Sequence, residues 1–135
     1  MILVDTSVLI NFLRGEKTCQ SLKFEAILKQ KIPFGITSQI FQELLQGTKT
    51  DEEYNLLKRY LETQTFFHPR DSIQSFAQAA KIYFKGRKNG ITIRSSIDCL
   101  IAQIAIENDL FLLHDDEDFI KIAKIVNLKL YEKST

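Results

Sequence analysis

Residues 112–119 read LLHDDEDF. An apolar run, Phe111–Leu113, stops at His114 and is followed by four acids in succession. Two explanations compete. Asp is a strong helix N-cap and its charge suits the positive end of the helix dipole, so Asp115 or Asp116 could cap a helix over Glu117–Lys124. Alternatively, negative charge is gathered at the end of a buried strand because a ligand there requires it. The same punctuation occurs at the start of the chain, where Ile2–Val4 runs directly into Asp5.

Working outward, five short β-like runs are apparent: Ile2–Val4, Phe34–Thr37, Thr65–Phe67, Phe111–Leu113 and Leu128–Tyr131. Each is apolar almost throughout rather than alternating, which suits strands covered on both faces in a parallel sheet. Helical patterns lie between them. Over Ser72–Lys88 the residues Ile73, Phe76, Ala77, Ala80 and Phe84 form one stripe, expected to face the core. Ser95–Asn108 repeats the rhythm with Ile97, Leu100, Ile101, Ile104 and Ala105. Shorter helices are expected at Ser7–Leu13, Cys19–Lys31, Ser38–Gln46 and Asp51–Glu62. Strands alternating with helices predict an α/β three-layer fold with a four- or five-stranded, mainly parallel sheet and Ile2–Val4 at its centre. With 135 residues, two prolines and five glycines, the chain reads as a single domain, 1–135, with no linker or repeat.

Bulk properties narrow the function classes. The formal net charge is +1, so no global field draws the chain to nucleic acid or anionic membrane, and any RNA binding must come from local patches. Cys19 and Cys99 show no metal spacing and are expected to be buried free thiols in a cytoplasmic protein. The opening MILVDTSVLINFLRG has no basic leader and is interrupted by Asp5, so neither a signal peptide nor a membrane span is expected.

The acids that fall at strand C-terminal ends, or in the helices that follow, are Asp5, Glu43, Asp98, Asp115 and Asp116. Each has an ordinary reading. Asp5 could cap Ser7–Leu13, Glu43 could face solvent, and Ser95-Ser96-Ile97-Asp98 matches a capping box. Two of them resist it: Asp98 borders the apolar Leu100, Ile101 and Ile104, and Glu43 is flanked by Ile40, Phe41, Leu44 and Leu45. In an open α/β sheet the ligand site is the crevice at the strand C-terminal ends where strand order reverses. Two carboxylates about 4 Å apart repel by roughly 4 kcal/mol at an effective dielectric of about 20. A convergent group therefore calls for protonation or a cation, and hard oxygen ligands suit Mg²⁺ or Mn²⁺.

Four segments, ILVDTSVLINFL (2–13), ITSQIFQELLQG (36–47), GITIRSSIDCLIAQIAIENDL (90–110) and FLLHDDEDFIKIA (111–123), resemble the sequence blocks of PIN-domain ribonucleases, in particular VapC-type toxins of bacterial toxin–antitoxin pairs. The resemblance spans Met1 to about Tyr131. It implies a PIN-like fold and Mg²⁺-dependent endoribonuclease activity, with Mn²⁺ able to substitute. The family's catalytic and metal-binding acids then fall on Asp5, Glu43, Asp98 and Asp116. Ser7 matches a supporting hydroxyl, and Asp118-Phe119 matches a closing DF step that makes Asp118 a helix-capping residue. His114 stands where the family commonly has Thr or Ser, and is expected to fill space or hydrogen-bond. Lys85, Arg87, Lys88 and Arg94 are either the contacts to the RNA backbone or simply a solvated basic loop. The resemblance further implies a homodimer, an inhibiting antitoxin and no membrane association. The rival classes fit poorly: there is no G-x-x-x-x-G-K-[ST] or G-x-G-x-x-G loop, and Ser7 stands where a haloacid-dehalogenase-type phosphatase needs its second Asp. A catalytically silent PIN fold used for protein binding is the remaining alternative.

Overall fold

The computed structural model describes residues 1–132. Ile2, Leu3 and Val4 are all buried, and since successive strand residues point to opposite faces, both faces of this strand must be covered. In chain order the elements are β1 (Ile2–Val4), α1 (Thr6–Leu13), α2 (Cys19–Lys29), β2 (Phe34–Thr37), α3 (Ser38–Gln46), α4 (Asp51–Glu62), β3 (Thr65–Phe67), α5 (Gln74–Lys88), α6 (Ser96–Glu107), β4 (Phe111–Leu113), α7 (Glu117–Ile125) and β5 (Lys129–Leu130). The five strands form one sheet in the order β3-β2-β1-β4-β5, with every neighbouring pair parallel. The expected central position of Ile2–Val4 is met. Strand order reverses between β1 and β4, so the crevice lies where Val4 pairs with Leu113.

The helices pack in two groups. In one, α1 contacts α2 and α3, and α3 contacts α4; in the other, α5, α6 and α7 contact one another. Gly35 in β2 reports how tightly the sheet edge is built. A Cβ there would lie 2.5 Å from Phe67 Cε2 and 2.7 Å from the Thr65 carbonyl, so no larger residue fits without moving β3. Among the described residues no helix is long and apolar enough to cross a membrane.

Two expectations are corrected. The stripe Ile73–Phe76–Ala77–Ala80–Phe84 does not face the core: Ile73 is 71% and Phe84 50% exposed. The α5 face that packs is Ser75, Ala79, Ile82 and Gly86, one residue further round. Close approach explains it. A Cβ on Gly86 would already sit 3.0 Å from Ile125 Cδ1 and from the Ile91 carbonyl, so at this point the packed side of α5 leaves no room for a side chain. Cys99 is buried as expected, but Cys19 is exposed. It is the first residue of α2, whose inward positions are Ser21, Phe24 and Ile27.

Candidate active site

β1 and β4 end side by side, tied by a hydrogen bond of 2.9 Å from the Asp5 N–H to the Leu113 carbonyl. Asp5 caps α1: its Oδ2 accepts from the Ser7 N–H at 3.1 Å and from the Ser7 hydroxyl at 2.7 Å. That hydroxyl in turn accepts from the Asp115 N–H at 2.9 Å, so Ser7 stitches the two strand ends together. Asp5 is buried. Burial pushes its carboxyl up to about 6; the Ser7 hydrogen bonds oppose this and the charge of Glu43 adds to it.

On the β4 side, His114 is buried. Its carbonyl accepts from Gln20 Nε2 at 2.6 Å and its Nδ1 accepts from the Asp116 N–H at 3.2 Å. The ring packs 5.3 Å from Phe119. Burial lowers its pKa despite the nearby acids, in keeping with an Nδ1 that accepts a hydrogen bond. Here the histidine fills space and holds the turn.

Asp116, not Asp118, caps α7: Asp116 Oδ1 accepts from the Asp118 N–H at 2.9 Å. The expected capping role of Asp118 is therefore corrected: Asp116 holds it. Asp118 is one of the most buried carboxylates in the chain, 1% exposed. Its Oδ2 accepts from the Arg94 N–H at 3.1 Å, while its Oδ1 has no hydrogen-bond partner.

Asp98 enters from α6. The capping-box reading fails, because Ser95 is the N-cap and no side chain caps this helix. Asp98 is 8% exposed and its Oδ2 is buried without a partner. Burial first, then the charges of Asp5, Asp116, Asp118 and Glu43, push its carboxyl up to about 8. Glu43 reaches in from α3, where its Oε1 accepts from the Thr6 hydroxyl at 3.3 Å. Burial raises it, Thr6 lowers it and Asp116 raises it.

One ligand oxygen from each of Asp98, Asp116 and Asp118 lies within 4.8 Å of the others. Asp5 and Glu43 line the same crevice, close enough to repel Asp98, but they are not members of this tight group among the described residues. The structure thus draws Asp98 and Asp116 together as the sequence suggested and adds Asp118, which the sequence reading had set aside as a cap. Thr6 was also missed: it lies between Asp5 and Ser7 with nothing in the sequence to single it out. Three converging carboxylates with two buried, unpartnered oxygens are the donor set of a hard divalent cation, and the site fits Mg²⁺ or Mn²⁺.

Of the four expected phosphate contacts, Arg94 alone reaches the acids. Its Nε is 3.6 Å from Asp118 Oδ1 and its Nη2 is 3.9 Å from Asp116 Oδ1. Lys85, Arg87 and Lys88 occupy the last turn of α5, with Arg87 5.0 Å over the Tyr83 ring and Lys88 4.9 Å over the Phe84 ring.

Residues 2–125 match the PIN domain. The chain is 33% identical over 130 residues to VapC ribonuclease Mb1587 of Mycobacterium bovis and to ribonuclease VapC11 of Mycobacterium tuberculosis, in each case over 96% of both chains. Its fold resembles that in the crystal structure of VapBC2 from Rickettsia felis bound to a DNA fragment from their promoter, at a TM-score of 0.73 and 20% identity, covering 99% of this chain and 100% of that one. It also resembles VapBC-1 from nontypeable Haemophilus influenzae, at a TM-score of 0.72 and 19% identity over 98% of both chains. With its acids at the switch point of a parallel sheet, and with matches that span almost its full length, the chain belongs to the PIN-domain family.

Proposed function

We propose that this chain is a single-domain, divalent-metal-dependent endoribonuclease, acting as the toxin of a toxin–antitoxin pair. The observation that carries the metal dependence is the pair of buried, unpartnered carboxylate oxygens on Asp98 and Asp118, within a group of three acids. Leaving such atoms unpaired costs about 1–3 kcal/mol each, a penalty that a bound cation removes. Asp98, Asp116 and Asp118 would hold Mg²⁺ or Mn²⁺, with Asp5 and Glu43 as further carboxylates of the same crevice. When bound, the cation would supply positive charge to the scissile phosphate and acidify an attacking water. The chain's own residues do the positioning. Ser7 fixes Asp5 against β4, Thr6 orients Glu43, and His114 sets the turn that presents Asp116 and Asp118.

The activity follows from the ribonuclease relatives at 33% identity, and the antitoxin from the toxin–antitoxin assemblies among the similar structures. Lys85, Arg87 and Lys88 supply an exposed basic turn for the RNA backbone. A homodimer is supported by the exposed Phe76 and Phe84 of α5 and Ile73 at its N-cap, since exposed apolar patches mark association surfaces. Cytoplasmic location completes the reading. The presence of all four family acids argues against a silent binding module. Purified protein is expected to cut a structured RNA with Mg²⁺ or Mn²⁺ and to stop in EDTA. Undiminished cleavage in EDTA, or no cleavage with either ion, would overturn the proposal.

A further inference from the structure

A cation already lies beside the acid group, and it is a residue of the chain itself. We infer that Arg94 is a movable counter-cation: it neutralises Asp116 and Asp118 in the metal-free chain, yields their oxygens to an incoming divalent ion, and then meets the substrate phosphate. This rests on the metal-site reading above and adds a second position for one side chain.

Four observations carry it. The backbone of Arg94 is anchored, because its N–H donates to Asp118 Oδ2 at 3.1 Å. Its side chain is not: it is 72% exposed and held only by ion pairs of 3.6 and 3.9 Å, and exposed pairs of that kind contribute little. The two oxygens it faces, Asp116 Oδ1 and Asp118 Oδ1, belong to residues of the tight three-carboxylate group. Asp118 Oδ1 is buried and still lacks a hydrogen bond, so the guanidinium screens its charge without satisfying it and leaves room for a closer partner. Lys121 is the contrast. Its ammonium lies 4.0 Å from the same Oδ1 but also donates to the Thr92 carbonyl at 3.4 Å, which ties it in place. Once displaced, a planar guanidinium on a fixed backbone beside the metal ligands matches a phosphate with two parallel donors.

The test compares wild type, Arg94→Ala and Arg94→Lys by two readouts that need no turnover. Mn²⁺ affinity is measured without RNA from the electron paramagnetic resonance signal of free Mn²⁺. Affinity for a short phosphorothioate RNA is measured by fluorescence anisotropy at saturating Mn²⁺ over a range of salt. Removing the competitor in Arg94→Ala is expected to tighten Mn²⁺ by about two- to five-fold, the scale of an exposed ion pair. RNA binding should weaken, and its salt slope should fall by about one. Arg94→Lys should keep most of the competition for Mn²⁺ but lose RNA affinity, since an ammonium lacks the fork. Weakened RNA binding with unchanged Mn²⁺ affinity would overturn the inference, leaving Arg94 a phosphate contact only. Unchanged RNA binding would overturn it too, leaving a surface ion pair. A wild type that binds no Mn²⁺ would instead sink the metal-site reading on which it stands.

Discussion

Helix α6 carries a carboxylate near each end, and the two are treated in opposite ways. Glu107, in the last turn, accepts from the Arg70 N–H and the Ser75 hydroxyl on one oxygen and from Gln103 Nε2 on the other, all at 2.9 Å. Burial alone would raise its pKa; those hydrogen bonds and the charge of Arg70 outweigh burial and hold it below the usual range. Asp98, in the first turn, has a buried oxygen with no partner and four acids around it, and sits at about 8. The helix dipole predicts the reverse, favouring a charged acid at the N-terminus and disfavouring it at the C-terminus by about 0.3–1 kcal/mol. Local surroundings overrule it: burial is the larger cause of the rise at Asp98, and the four acids around it add to it. The carboxylate of Glu107 is met by donors on both oxygens, whereas that of Asp98 is met mainly by other carboxylates.

The largest expected effect separates the two ends by activity. Asp98→Asn should lower RNA cleavage by at least about 100-fold, more than the loss of a typical group supporting a metal ligand. Glu107→Gln should cut RNA as wild type does, per folded molecule. Comparable losses in both variants, in a cleavage assay normalised to folded protein, would break the contrast.

Acidity gives the next largest effect. Below about pH 4 Asp98 is protonated in both the folded and the unfolded chain. Between about 4 and 8 the folded chain keeps a proton that the unfolded chain has released, so stability falls as pH rises across that window. Asp5, at about 6, adds to the fall at the lower end. Glu107 acts in the opposite sense: its contribution is present above its unfolded pKa and lost only as pH falls through its lowered value. Urea unfolding in EDTA should therefore show a loss on the order of a few kcal/mol between pH 5 and pH 8.5. Most of that slope should vanish in Asp98→Asn and persist in Glu107→Gln. A flat profile in EDTA for wild type would mean that Asp98 is not strained.

The smallest effect is in stability at a single pH. In EDTA at pH 8, Asp98→Asn should be as stable as wild type or more so, since it removes a repelled charge and no cap. Glu107→Gln should lose about 1–3 kcal/mol, because an amide cannot accept on both atoms and the hydrogen bond from Gln103 or those from Arg70 and Ser75 are compromised. Thermal or urea unfolding of the pair checks both signs. A destabilised Asp98→Asn would return that residue to a structural role.

Legibility in the sequence followed the kind of interaction concerned. The stripe on α6 was readable in Leu100, Ile101, Ile104 and Ala105, which are buried, although its first member, Ile97, is 40% exposed. The equally regular stripe on α5 misled, because hydrophobic periodicity reports which side is apolar, not which side is close to a neighbour, and the buried face of α5 is Ser75, Ala79, Ile82 and Gly86. Asp116 and Asp118 show the same limit on a smaller scale. Both can cap a helix, and only the backbone path of residues 114–118 decides which one does.

The order of apolar runs, the acids that close them and the scarcity of breakers pointed by themselves to a mainly parallel sheet with Ile2–Val4 at its centre and to Asp5 and Asp116 at one crevice, whereas the full set with Glu43 and Asp98 came from the resemblance to PIN-domain ribonucleases. These are one-dimensional properties, carried by periodicity and by chain order. The tertiary structure decided which oxygens are left without donors, that Asp118 joins Asp98 and Asp116, that Arg94 leans over that group, and which face of α5 is covered. Each of those depends on distances between residues far apart in the chain, and a local pattern carries no information about how closely distant segments approach.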